Sequence, residues 1–256
     1  MKIVINQPYF LPYIGLFEKV KAADLFIIND LSRISRCAVS HRRVKVICGV
    51  KSRTTKYLTQ LVYAKDENKK FKDIKMDKYF YCRAKEMVNS LQLTYGRAKY
   101  FKYLGPELFK LLLDEKPKNL ADYNIRLIRL LMNKLKIKTK IIVASRSKLF
   151  NDLENNYDGS KYLNYGTYTT YSMVKRMKGD YYISGASSYR FLDDNIFVKN
   201  GIKILQHTLD LKPYPQFYYK NKEFIKGLSV VDLIFNNGKF SKNYIQTKTL
   251  REKNEI

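Results

Sequence analysis

The sequence has no tryptophan, only two histidines and three cysteines. Because His41 and His207 are too few for a histidine-rich metal centre, we expect no bound metal. Cys37, Cys48 and Cys82 lack the close pairs of a zinc site and are odd in number, so reduced thiols are expected. No apolar run is long enough to cross a bilayer, and the first residues lack a signal-peptide pattern. These absences predict a cytoplasmic protein.

Acidic residues are scarce beside basic ones. With 49 Lys and Arg against 23 Asp and Glu, the 256-residue chain has a net charge of +26. Such an excess is typical of proteins that bind nucleic acid or a membrane surface. The basic residues are nevertheless spread along the whole chain, and the abundance of Asn, Ile and Tyr is the composition that an AT-rich genome imposes. An anionic small molecule, such as a nucleotide sugar, is therefore favoured over nucleic acid as the partner.

The alternation of apolar runs and helical patterns predicts an α/β fold. Residues 2–6 and 24–30 are apolar runs, and a helical pattern lies between them. Because the two strands of such a βαβ unit are parallel, we expect a mainly parallel sheet begun by this unit, with a helical portion packed beside it. Residues 1–241 are predicted to form one domain with a helical insertion at about 71–135, followed by a loose polar tail over 242–256.

Apolar spacing and end signals place further elements along the chain. Gly105-Pro106 is interpreted as the start of a helix, Asn119 as the cap of the next helix, and residues 44–50 and 57–63 as a β-hairpin. The other predicted elements are helices over 71–92, 120–135, 162–177, 191–197 and 229–236 and strands over 138–144, 181–184 and 201–205.

A stiff loop from Gln7 to Gly15 is the first candidate for a functional site. It follows the opening strand at the end where parallel sheets bind ligands. Pro8 and Pro12 restrict the backbone of the loop, and Gly15 permits close approach of a ligand or of backbone. A tight connection that is merely shaped by the prolines explains the same residues equally well.

Two later segments are further candidates. Residues 183–189 place small side chains between a strand and a helix, where exposed N–H groups can bind phosphate or carboxylate. An ordinary connecting loop is the alternative. Residues 228–238 contain Ser229 and Asp232 at the spacing of a helix capping box, which is itself a sufficient structural explanation.

Taken in order, these segments resemble the WbqC-like protein family, which consists of bacterial proteins associated with O-antigen and other surface-polysaccharide gene clusters. The likeness spans nearly the whole chain. The matching residues of its three motifs are Gln7, Pro8, Leu11, Pro12, Gly15, Lys19, Ala23 and Asp24; Tyr182, Ile183, Ser184, Gly185, Tyr189 and Leu192; and Tyr214, Gln216, Leu228, Ser229, Asp232, Leu233, Asn236 and Gly238.

The basic segment after the second strand departs from the family pattern. Arg43 and Lys45 match its end, whereas Ser40 and His41 replace more typical residues. The guanidinium group of Arg43 suits a diphosphate or a carboxylate, although a solvated basic edge is the alternative. What this segment recognises can therefore differ from other members of the family.

The resemblance implies an enzyme that transfers an acyl or aminoacyl group to the amine of a nucleotide-linked amino sugar. Coenzyme A, a carrier or a charged transfer RNA would supply the acyl group, and no bound cofactor is predicted. Asp30 or Asp232 would handle protons, because a carboxylate beside an amine can accept its proton. Cys37 and His41 are weaker candidates for chemistry. The predicted substrate-binding residues are Gln7, Tyr9, Pro12, Gly15, Lys19, Arg43, Lys45, Ser184, Gly185, Tyr189, Tyr214, Gln216, Ser229 and Asn236.

Two other functions stay open. The protein can be a non-catalytic binding or scaffold subunit of the polysaccharide machinery, because the sequence contains no recognised catalytic dyad. The net charge alone suggests an RNA-dependent transferase. Activation by ATP is disfavoured, because the loop from Gln7 to Gly15 lacks the paired histidines of adenylyl-transferring α/β enzymes.

Overall fold

A computed structural model describes residues 1–34, 42–48, 54–185, 192–209, 211–217, 223–247 and 250–252. Its strands are β1 (Lys2–Asn6), β2 (Leu25–Ile28), β3 (Arg43–Cys48), β4 (Thr54–Thr59), β5 (Lys140–Val143), β6 (Tyr181–Gly185), β7 (Lys203–His207) and β8 (Leu250–Glu252). Its α-helices are α1 (Ile14–Ala22), α2 (Lys78–Tyr95), α3 (Phe101–Leu112), α4 (Leu120–Lys134), α5 (Tyr165–Arg176), α6 (Asn195–Val198) and α7 (Val230–Asn237).

The main sheet has the strand order β5-β2-β1-β6-β7-β8 and is parallel except for the antiparallel pair of β7 and β8. This arrangement confirms the predicted α/β class and the N-terminal βαβ unit. From β1 the chain passes through α1 to β2 on one side, whereas β6 and β7 lie on the other side of β1. The carboxyl ends of β1 and β6 therefore flank the switch point of the sheet, where open parallel sheets bind ligands.

Helices cover both faces of this sheet. Successive residues of its strands alternate between these two faces and therefore enter two different cores. Val4 of β1 belongs to the apolar core to which α1, α2, α3, α4 and α7 also contribute. Ile3 and Ile5 pack with α5 and α6 on the opposite face. The buried strands can consequently be almost wholly apolar, as the sequence of β2 illustrates.

The helical region packs on one side of the sheet largely as predicted. The side chain of Asn119 caps α4 by accepting a hydrogen bond from the N–H of Asp122. The prediction that Gly105-Pro106 begins a helix was wrong, because α3 begins at Phe101 and contains Pro106. Leu104, Leu108 and Leu112 place a fully buried apolar stripe along α3, and this packing favours the earlier start.

Two peripheral elements complete the fold. The hairpin is confirmed as antiparallel β3 and β4, although β4 occupies 54–59 rather than 57–63. The segment after Lys242 is not wholly loose, because β8 pairs with β7 and Lys203 Nζ lies 3.0 Å from Glu252 Oε1. In the described ranges, every helix is too short or too polar to traverse a bilayer.

Candidate functional site

A cavity of about 820 Å³ lies over the carboxyl ends of the central strands. Its wall includes Asn6 at the end of β1, Gln7 after it, Asn29 after β2, Ser145 after β5 and Gly185 at the end of β6. The volume falls within the range of about 300–1,000 Å³ that is typical of small-molecule sites. The cavity thus occupies the position at which this sheet topology is expected to bind a ligand.

The cavity wall combines apolar, aromatic and hydroxyl-bearing side chains. Tyr9 and Tyr13 come from the loop after β1, and Thr169 and Thr170 come from α5. Rings of this kind can stack on a base or a sugar, while hydroxyl and amide groups can bind polar substituents. The apolar residues of the wall are Ile5, Leu16, Leu31, Phe150, Leu153 and Met173.

Positive charge predominates in the cavity wall. Lys19, Arg33, Lys70 and Lys72 contribute four cationic groups, and Glu154 contributes one carboxylate. Glu154 binds Lys70 Nζ at 2.6 Å and Arg33 Nη2 at 3.5 Å. Because one carboxylate is shared between two cations, the wall retains an excess of positive charge that suits an anionic ligand.

Lys19 is the most deeply buried of these cations, with a side chain in the cavity wall and only 6% of the residue exposed. Its Nζ donates a hydrogen bond to Asn6 Oδ1 at 3.3 Å, and no carboxylate of the described residues pairs with it. Burial lowers the pKa of Lys19 to about 8. The cavity wall thus contains an amine with unused hydrogen-bonding capacity.

Two buried side-chain oxygens of the cavity wall have unused acceptor capacity. Within the part of the chain that the structure describes, neither Gln7 Oε1 nor Asn29 Oδ1 has a hydrogen-bond partner. An unpaired buried acceptor costs about 1–3 kcal/mol. A ligand that supplies N–H or O–H groups at these positions would remove that cost.

The first residues of α7 and its cap hydrogen-bond to the proline-rich loop, which runs from Gln7 to Gly15. Ser229 Oγ donates to the carbonyl oxygen of Leu11 at 2.7 Å, and the N–H of Val230 donates to that of Pro12 at 3.0 Å. These bonds hold Leu11 at a φ of 38°, a conformation that L-residues rarely adopt. The absent side chain of Gly15 leaves room for the ring of Tyr13, since a Cβ there would lie 2.5 Å from its Cε2.

Asp232 lies in a closed polar network behind this loop and outside the cavity wall. Tyr95 OH donates to its Oδ1 at 2.9 Å, and Tyr214 OH donates to its Oδ2 at 2.8 Å. Gln216 Nε2 lies 3.3 Å from Oδ2. Burial raises the pKa of Asp232 to about 6, although the three donors act in the opposite direction. The predicted capping by Ser229 is confirmed, whereas the carboxylate of Asp232 binds these distant donors instead of completing the cap.

Asp30 likewise lies beside the cavity without lining it. Its Oδ1 accepts the N–H of Ser145 at 2.9 Å, and its Oδ2 accepts the hydroxyl of the same residue. The carboxylate therefore joins the ends of β2 and β5. The proton-handling roles of Asp30 and Asp232 stay predictions, and the described geometry gives both carboxylates a supporting position.

The structure brings together only part of the predicted binding set. Gln7, Tyr9, Lys19 and Gly185 line the cavity, whereas Pro12, Gly15 and Ser184 shape its surroundings. Arg43 and Lys45 belong to β3, and the carbonyl oxygen of Lys45 accepts the N–H of Ser229. The supporting network around Asp232 contains Tyr214, Gln216 and Asn236. The predictions for Cys37, His41 and Tyr189 lie outside the described residues.

Sequence reasoning missed much of the cavity wall. Asn6, Asn29 and Ser145 share a signal that was available, because each is a polar residue at or just after the end of a parallel strand. Lys70 and Glu154 carry no such signal, since they meet across 84 residues of chain. In the described ranges, no group of His, Cys, Asp and Glu side chains is arranged to hold a metal ion.

Comparison with known proteins places the chain in a family. It is 24% identical over 248 residues to the uncharacterized protein Rv1507c of Mycobacterium tuberculosis (strain ATCC 25618 / H37Rv), an alignment that covers 96% of this chain and 97% of the relative. No solved structure matches the chain. The model of the WbqC-like protein family matches residues 7–244, and the chain therefore belongs to that family.

Proposed function

We propose that this protein is an enzyme of surface-polysaccharide biosynthesis that transfers an acyl or aminoacyl group to the amine of a nucleotide-linked amino sugar. The observation that carries the proposal is the cavity at the switch point of the sheet, which has cationic walls and unpaired acceptors. The association of WbqC-like proteins with polysaccharide gene clusters supports the choice of pathway.

The charge of the cavity wall supports a phosphate-bearing ligand. Lys72 Nζ, which lies 3.2 Å from Asp73 Oδ1, and Arg33, which shares Glu154 with Lys70, can bind a diphosphate by charge-assisted hydrogen bonds. Helix α1 begins at the cavity and has no acidic residue in its first turn, so its positive end also favours an anion. A nucleotide-linked sugar combines this charge with the rings and hydroxyl groups that the remaining walls suit.

The unpaired acceptors support a substrate that carries N–H and O–H groups. Gln7 Oε1 and Asn29 Oδ1 can accept from a sugar amine or from sugar hydroxyl groups. Such groups would complete the hydrogen bonding of the cavity wall and orient the amine for attack on an acyl donor. Coenzyme A, a carrier or a charged transfer RNA is the proposed source of the acyl group.

A panel of nucleotide-linked amino sugars, each combined with acetyl-coenzyme A or with charged transfer RNA, tests the proposal. Calorimetry measures binding, and mass spectrometry detects the acylated sugar. We expect Lys72→Ala to weaken binding roughly 10- to 100-fold, because one hydrogen bond to a charged group contributes about 1.5–3 kcal/mol. Lys85→Ala, which removes an exposed lysine of α2, is the control and should bind like wild type. Absence of binding across the panel contradicts the proposal.

A non-catalytic binding subunit is the second candidate function. The observation that favours it is the position of Asp30 and Asp232, whose carboxylates are engaged in hydrogen bonds outside the cavity wall. A binding subunit should take up a nucleotide sugar without converting it with any donor. Single turnover of a bound sugar by the purified protein would exclude this alternative.

A further inference from the structure

We propose that Lys19 is the catalytic residue that accepts the proton of the substrate amine and returns it to the leaving group. This inference rests on the proposed function and assigns the proton transfer to a residue of the cavity itself. Neither Asp30 nor Asp232 lines the cavity, whereas Lys19 does.

The geometry places the amine of Lys19 at the switch point between β1 and β6. Its Nζ lies 3.3 Å from Asn6 Oδ1, and a Cβ on Gly185 would come within 3.2 Å of it. Asn6 Nδ2 donates to the carbonyl oxygen of Gln7, which fixes the amide so that its oxygen faces Lys19. The absence of a side chain on Gly185 leaves the amine accessible from the cavity.

The burial of Lys19 leaves both of its protonation states within reach. Burial lowers the pKa of its amine to about 8, so ammonium and free amine are both populated near neutral pH. Glu18 on the same helix is directed to His207 at the end of β7, with Glu18 Oε2 and His207 Nε2 2.9 Å apart. Tyr13, which precedes α1, is a further titratable group of the cavity wall, and its pKa is raised by burial and by Glu18.

The proposed step balances as follows. The nitrogen of the substrate amine attacks the acyl carbon and forms a C–N bond, while Lys19 Nζ takes the proton that this nitrogen loses. The bond between the acyl carbon and the leaving group then breaks, and the leaving group receives a proton from the Lys19 ammonium. Amine and acyl donor become amide and protonated leaving group, and Lys19 returns to its starting state.

Competitive labelling of the wild-type chain with trace acetic anhydride between pH 6 and pH 11 tests the amine without any substrate. Peptide mass spectrometry measures acetylation of Lys19, with the peptide of exposed Lys140 as the internal reference for reagent decay. We expect labelling of Lys19 to rise with a midpoint near pH 8, well below the value of about 10.4 for a free lysine. A midpoint near 10.4, or no labelling at any pH, overturns the proposal because the amine would be unsuitable or inaccessible.

Two variants then separate proton transfer from simple anion binding. Lys19→Arg keeps the positive charge but cannot give up a proton near neutral pH, so kcat should fall about 10²- to 10⁴-fold with little change in KM. Lys19→Met should lose the same factor in kcat, and wild-type kcat/KM should fall as the pH drops below about 8. Thermal unfolding confirms that both variants fold.

The two proposals fail in different ways. If no sugar and donor react, the proposed function fails, while the labelling experiment still reports on Lys19. If the sugar is acylated but Lys19→Arg keeps most of the wild-type kcat, the proton-transfer role alone is refuted.

Discussion

Replacement of Asp232 by Asn should remove a specific pH dependence from the stability of the protein. The carboxyl group is fully buried, and burial raises its pKa from 3.8 to about 6. Between these two values the folded chain holds a proton that the unfolded chain has released. Protonation therefore favours the folded state, and this contribution is complete below the unfolded pKa and is lost as the pH rises through about 6.

The magnitude follows from the two pKa values. At about 1.36 kcal/mol for each pH unit, the difference between 3.8 and about 6 corresponds to roughly 3 kcal/mol. About 2 kcal/mol of this contribution is lost between pH 4 and pH 7. The Asn side chain also loses the oxygen that accepts from Tyr214 and Gln216, which destabilises the variant by an amount that does not depend on this titration.

Urea unfolding of wild type and Asp232→Asn at pH 4, 5, 6 and 7 measures the effect. The free energy of unfolding of wild type minus that of the variant should fall by about 2 kcal/mol from pH 4 to pH 7. Tyr214→Phe is the companion variant: because the hydrogen bond from Tyr214 lowers the pKa of Asp232, its loss should move this change to higher pH. A difference between wild type and Asp232→Asn that is constant across the range would refute the reasoning.

Three further predictions concern stability. Lys19→Met should be up to about 3 kcal/mol more stable than wild type in urea at pH 7, because burial lowers the pKa of Lys19 to about 8. The gain in stability should disappear above pH 10, and a variant that is less stable than wild type at pH 7 would contradict the prediction. Gly238→Ala should lose more stability than Gly201→Ala in thermal unfolding. Both glycines have positive φ, but a Cβ on Gly238 would lie 2.4 Å from the ring of Tyr100, whereas a Cβ on Gly201 would meet no atom within 4 Å. Equal losses of stability would exclude this steric explanation. Ser229→Ala should lose about 1–2 kcal/mol and speed amide hydrogen exchange in the proline-rich loop, since it removes a helix cap and the bond to Leu11; unchanged exchange would mean that the loop holds its own shape.

The sequence predicts the parts of the fold that depend on local patterns. The runs that became β1 and β2 are apolar because both faces of the sheet are covered, and this signal was sufficient to identify the βαβ unit. The cap at Asn119 is equally local. The start of α3 was missed because proline is a strong local signal, and the buried contacts of the preceding turn outweigh it.

The candidate site was less predictable because its members meet through the fold rather than through the sequence. Asp232 bonds to Tyr95 across 137 residues, and no local pattern indicates that pairing. The spacing of Asp232 from Ser229 instead suggested that its carboxylate completes the cap of α7, and this interpretation was incorrect. The family resemblance assigned Gln7, Tyr9, Lys19 and Gly185 to the site, and residues directly after strands, such as Asn29, could have been added from their positions alone.

The bonds from Ser229 and Val230 to the proline-rich loop have a consequence for biosynthesis. They join the loop that contains Leu11 with a segment that is translated more than 200 residues later. During synthesis the early loop lacks these partners and has nothing to hold Leu11 in its unusual backbone conformation. A nascent chain that stops before α7 therefore lacks the hydrogen bonds that hold this loop beside the cavity.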